Sequence, residues 1–215
     1  GSHAGAVRGN TATLDSGIVV DTLAGGYADS ANSAGTDHNT VRINGGTVGT
    51  YTDPSTSATV THDAKVYGGY GATATDNTVD FASGKVTGTI YGGYAKTLPS
   101  AAAAVKNNVV KLGDNAEVVG DVYGGYAVGA GVTTGNTVNL GDGSHALASG
   151  TTINGVLYGG NKTTVTDNML NVKTNATAGN IAHFDKVKFD LNSTINPANS
   201  LLTLNNGAQT TDLNW

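Results

Sequence analysis

Tyrosine is the residue whose spacing first suggests chemistry in this chain. Val66-Tyr-Gly-Gly-Tyr70-Gly71, Ile90-Tyr-Gly-Gly-Tyr94-Ala95 and Val122-Tyr-Gly-Gly-Tyr126-Ala127 align without gaps, and Leu23-Ala-Gly-Gly-Tyr27-Ala28 and Leu157-Tyr-Gly-Gly-Asn161-Lys162 vary the same signature. If the aliphatic residue before each first tyrosine points inward, Tyr67, Tyr91, Tyr123 and Tyr158 point outward as a row. Such a row offers two things: ring-on-ring stabilisation between neighbours, or an aromatic platform for sugar or protein surfaces. These four are the candidate ligand-binding residues. The direction of Tyr27, Tyr70, Tyr94 and Tyr126 stays open, because the double glycine before them bends the chain.

Other chemistries fail on residue type or spacing. The glycines do not form a phosphate loop, since no helix start and no Lys-Ser/Thr pair follows them; tight turning between strands is their expected role. Calcium-binding β-rolls use Gly-Gly-x-Gly-x-Asp, but Gly68-Gly-Tyr-Gly71-Ala-Thr73 carries threonine at the carboxylate position, and Asp114 and Asp142 lie singly in turns. His38, His62, His145 and His183 lack metal spacing, and Gly-x-Ser-x-Gly does not occur. Asp80 and Lys111 are expected on adjacent rungs as an exposed ion pair. A polysaccharide-cleaving site would need three or more charged groups converging on one groove. The expectation is therefore no catalytic residues, no metal, no cofactor and no enzyme activity.

The elements that position these residues are strands. Asn10-Thr-Ala-Thr-Leu14, Asn39-Thr-Val-Arg-Ile43, Asn77-Thr-Val-Asp-Phe81, Asn108-Val-Val-Lys-Leu112, Asn136-Thr-Val-Asn-Leu140 and Asn168-Met-Leu-Asn-Val172 share one pattern. The second and fourth residues after the asparagine are apolar and the one between them is not, which is the period of a strand with one buried face. The asparagine itself is expected to form an internal amide ladder or to occupy a left-handed turn position. A second alternation, as in Val118-Val-Gly-Asp-Val122, runs into each tyrosine signature. One such unit cannot bury its apolar face alone, whereas stacked units can. The fold expected is all-β: a parallel β-helix (β-solenoid) of about six coils, right-handed by the crossover rule, with irregular insertions near 29–38, 49–63, 96–107 and 143–151. An antiparallel sandwich is the competing architecture. Insertions on one face of a solenoid often form its binding face.

Bulk composition agrees. Only 13% of residues are charged and 32 are glycine, which suits strands and turns and leaves few helix formers. A net charge of −5 with thinly spread basic residues argues against nucleic-acid binding. Cysteine is absent, which removes disulfides and thiolate chemistry. No apolar run is long enough to span a membrane. Gly1-Ser2-His3 reads as an expression-tag scar, residues 4–177 as the repeats, and 178–215 as divergent coils or a cap continuing the solenoid.

The asparagine and Tyr-Gly-Gly-Tyr signatures, and the stretch around Asn180-Ile-Ala-His-Phe184-Asp-Lys-Val-Lys-Phe189, resemble the passenger domains of type V autotransporters of Gram-negative bacteria. The resemblance covers roughly residues 10–204 and is specific for architecture, less so for activity. It implies an adhesin-like stalk on the cell surface, anchored in the outer membrane by a C-terminal β-barrel of the parent protein. The implied partner is a host-cell or bacterial receptor or glycan. A polysaccharide-binding or -degrading β-helix and a purely structural spacer are the alternatives; a flat threonine face for ice is interrupted at Val109 and Met169.

Overall fold

The computed structural model describes residues 6–29, 35–96, 104–129, 131–141, 151–161, 166–191 and 198–206. Among them there are strands and bends but no helix, hence none long and apolar enough to cross a membrane. Every strand pairing is parallel except one hairpin, and the chain winds as a β-solenoid.

Each coil passes through four strand positions. The first is short, two or three residues, at Val7–Arg8, Thr36–Asp37, Ala74–Thr75, Ala104–Lys106 and Val132–Thr134. The second follows the asparagine, at Thr11–Leu14, Thr40–Ile43, the start of Thr78–Ala95, the start of Val109–Val119, Thr137–Leu140 and Met169–Val172. The third carries Val19, Val48, Val86, Val118 and Ile153 in register. The fourth is the tyrosine signature.

The buried alternation forms continuous columns. Val41, Val79, Val110, Val138 and Leu170 stack in register, as do Ile43, Phe81, Leu112, Leu140 and Val172, and all are essentially buried. At about 1.5–3 kcal/mol for each fully buried side chain of this size, the columns dominate the favourable side of folding. Ala74, Ala95, Val105 and Ala127 make a second, smaller core behind the short strands.

The ladder continues past residue 178. Ala176–Ala182 pairs with Thr151–Tyr158, Lys186–Phe189 with Met169–Val172, and Leu202–Leu204 with Ala176–Ala182. Asn180-Ile181-Ala182 therefore takes the place of a tyrosine signature, and Lys186–Phe189 opens a seventh rung of the second position. The short strands Thr36–Asp37 and Ala104–Lys106 lie inside stretches expected to be insertions. The insertion near 49–63 is not a plain loop either: Thr50–Thr52 and Thr59–Thr61 form an antiparallel hairpin. Tyr51 packs on His62 across it, with ring centroids 5.8 Å apart. Most of the remaining insertions, with Asp142 and His145, lie outside the described residues.

Candidate functional site

The backbone around the tyrosines explains their arrangement. Along Ala64–Gly71, Ala64 and Val66 are buried and Lys65 and Tyr67 half-buried in strict alternation; then Gly68 and Gly69 are both buried and Tyr70 turns outward again. Two inward residues in succession shift the alternation by one, so tyrosines three apart share one face. Tyr67, Tyr91, Tyr123 and Tyr158 form one outward row, and Tyr27, Tyr70, Tyr94 and Tyr126 form a second beside it. The second row was not assignable from strand period alone.

The glycines are not there for turning. Their φ angles lie outside the left-handed region; close approach requires them instead. An added Cβ at Gly92 would lie 2.5 Å from the Gly124 carbonyl oxygen, and one at Gly93 2.5 Å from Asn108 Nδ2.

Within the first row, ring centroids are 5.3, 5.3 and 4.5 Å apart and the planes are near-parallel. In the second row the spacings are 4.5, 5.1 and 5.1 Å. Between rows the rings meet edge to face, at 88° for Tyr91 and Tyr94 and 85° for Tyr123 and Tyr126. Near-parallel rings within each row and near-perpendicular rings between rows are the two arrangements that aromatic pairs prefer over an eclipsed sandwich. The result is a herringbone in which ring faces cover one another. Flat stacking against sugar faces, one of the two roles considered for Tyr67, Tyr91, Tyr123 and Tyr158, thus competes with their own packing. The rows end on other groups. His183 tilts over Tyr158 at 5.7 Å, and Asn161, in place of a fifth second tyrosine, hydrogen-bonds both the amide and the carbonyl of Ala127.

Burial holds these phenols protonated. It pushes Tyr67 and Tyr123 up strongly, and Tyr91 up to about 12 from an ordinary 10.0. A native spectrophotometric titration should therefore show tyrosines ionising well above the unfolded chain. The unfolded state releases these protons from pH 10 upward while the fold retains them. This contribution to stability is complete below pH 10 and is lost as pH rises through about 12 for Tyr91. A native titration superimposing on that of the denatured chain would refute the burial account.

Beneath the signature glycines lies the amide ladder. Asn10, Asn39, Asn77, Asn108 and Asn136 each donate, from backbone N–H and from Nδ2, to the Oδ1 of the next rung's asparagine, at 2.9–3.1 Å over the five links that end at Asn168. Asp185 Oδ2 accepts from the Asn168 N–H at 2.9 Å and closes the series. The left-handed position falls on the residue before the asparagine (His38, Asp76, Asn107 and Asp167 among them), not on the asparagine itself.

A groove of about 250 Å³ opens beside the second strand position, lined by Asp80, Lys111, Asn139 and Lys173 from four successive coils together with Ala82, Leu112, Gly113 and Gly141. Asp80 and Lys111 are paired in register as expected, but their side chains form no ion pair within 4.0 Å. Three charged groups, one carboxylate and two amines, do converge here, which the sequence pattern alone did not place together because Lys173 follows its strand. Elsewhere Asp37, His38 and Asp76 bring donor atoms within 4.8 Å of one another; Asp37 is already held by Arg8 at 2.9 Å. His62 lies 3.3 Å from Asp21, and Asp114 is buried beside Gly141.

No family model, no curated protein and no solved structure matches the chain.

Proposed function

We propose that the chain is a surface-displayed stalk or adhesin segment of an autotransporter passenger, attaching cells through many weak contacts. The observation that carries this reading is repetition. Outward tyrosines recur at successive rungs of the stack, which suits multivalent contact in which individually weak interactions add through effective concentration. The motif resemblance supplies the setting: a cell surface, an outer-membrane anchor in the parent, and a host or bacterial receptor or glycan as partner. Neither an enzyme activity nor a cofactor is part of the proposal.

Beads coated with the chain at graded density test it. Attachment to epithelial or bacterial cells should rise more steeply than coating density and be poorly competed by the soluble monomer. Coated beads that attach no better than bare ones across the panel would leave the spacer reading. A second reading, polysaccharide binding, is favoured by one specific observation, the charged groove over Asp80, Lys111 and Lys173.

A further inference from the structure

We propose that the groove binds a uronic-acid-bearing saccharide, its carboxylate between Lys111 and Lys173 and its hydroxyls on Asp80 and Asn139. The inference deepens the attachment reading by giving it a ligand class, yet it can be tested without any cell.

Charge distribution is the first ground. The chain is acidic overall, at −5, and five of its ten described lysines and arginines are neutralised locally. Arg8, Lys65, Lys85, Lys96 and Lys186 each hold a carboxylate at 2.7–3.1 Å. On the outer face of the second strand position the pattern reverses. Arg42, Asp80, Lys111, Asn139, Asn171 and Lys188 follow one another in register, and Lys173 sits beside them in the groove. Among the described residues, none of these four cations has an ion-pair partner within 4.0 Å. A strip of unneutralised ammonium and guanidinium groups on an acidic protein is a place for an anion.

The other lining groups narrow the class. Asn139 Oδ1 accepts from Asn171 Nδ2 at 2.7 Å, so the Asn139 amide presents its own N–H groups as donors. Asp80 contributes acceptors only. A plain inorganic anion would gain from the lysines and be repelled by Asp80. A neutral sugar would use Asp80 and Asn139 and gain nothing from the lysines. A sugar acid uses both sets, because it carries a carboxylate and neighbouring hydroxyl donors on one ring. Space is consistent with this. Gly113 and Gly141 line the groove without side chains, and about 250 Å³ lies just below the roughly 300–1,000 Å³ of drug-sized sites, enough for about one sugar ring. Successive rungs at roughly 4.8 Å would let a chain continue along the strip toward Lys188 or Arg42.

Calorimetric titration of the full chain with α-1,4-linked tetragalacturonate, its methyl ester and sodium sulfate tests this. The acid should bind, with affinity falling as salt is added. The ester, which replaces each carboxylate by a neutral –COOCH₃, should bind at least about tenfold more weakly, and Lys111→Ala/Lys173→Ala should weaken the acid by a similar factor or more, since hydrogen bonds to charged groups are the strong ones. Asp80→Asn should weaken the acid several-fold while strengthening sulfate. All three side chains are exposed or half-exposed, so unchanged melting would certify the fold, and the ester comparison needs no variant. Absence of binding, equal affinity for acid and ester, or indifference to the lysine variant would overturn the proposal. So would Asp80→Asn improving both ligands alike, the mark of an unselective anion site. Tetragalacturonate binding without bead attachment would sink the attachment reading and leave the groove standing.

Discussion

Asn108→Ala should destabilise the fold by about 4 kcal/mol or more, whereas Asn10→Ala should cost less than about 1 kcal/mol. Both remove the same amide from the same ladder, and only position separates them. Asn108 is fully buried. Its Oδ1 accepts from the backbone N–H and the Nδ2 of Asn77 at 3.0 Å each, and its own Nδ2 donates to Asn136 Oδ1 at 3.0 Å and to the Ala74 carbonyl at 2.9 Å. Truncation orphans a backbone donor and a side-chain donor on one side, and removes a donor from two acceptors on the other. Each unsatisfied buried group costs about 1–3 kcal/mol, and water has no ready access to replace the amide. Asn10 is exposed at the start of the series and only donates, so water takes its partner's place. Denaturant unfolding of both variants measures the difference, and native-state hydrogen exchange should show lost protection at Asn77 and Thr78 in Asn108→Ala. Equal costs at the two positions would refute a cooperative ladder.

The same logic accounts for Asp185. An interior rung must accept from one neighbour and donate to the next, which an amide does and a carboxylate does not. The last rung need only accept, and a carboxylate does that for Asn168. Asp185-Lys-Val-Lys-Phe189 is thus the asparagine pattern with an aspartate at its head. It was legible in principle, but a search keyed on asparagine passes over it. The second strand position and its apolar columns were readable because four or five residues of strict alternation suffice to show a buried face. The first position was not, since two residues such as Thr36–Asp37 or Ala74–Thr75 carry no period. The second tyrosine row was hidden by the glycine pair, which breaks the alternation from which direction is inferred. The groove draws on four coils, and Lys173 joins it from the position just past its strand; no linear spacing encodes that meeting.

Gly93→Ala should cost about 3 kcal/mol, and nearly all of that cost should vanish when Asn108 is already alanine. The signature glycine and the ladder asparagine share one volume. A Cβ on Gly93 would stand 2.5 Å from Asn108 Nδ2, 2.6 Å from Cγ and 2.7 Å from Oδ1, so the amide must leave the position from which it bonds Asn77 and Asn136. Removing that amide first vacates the space the new methyl needs. The double-mutant cycle should therefore show a rescuing coupling of about 2 kcal/mol or more. Gly92 provides the control on the neighbouring residue. Its added Cβ would meet the Gly124 carbonyl oxygen at 2.5 Å, a main-chain atom that no side-chain truncation moves, so Gly92→Ala should remain costly in the Asn108→Ala background and the two should nearly add. Measured by denaturant unfolding, this contrast distinguishes two reasons for one glycine pair: the first glycine admits the next coil's backbone, and the second admits the amide that ties the coils together. If Gly93→Ala and Asn108→Ala simply added, the glycine would owe its place to something other than the ladder, and the shared-volume account would fall.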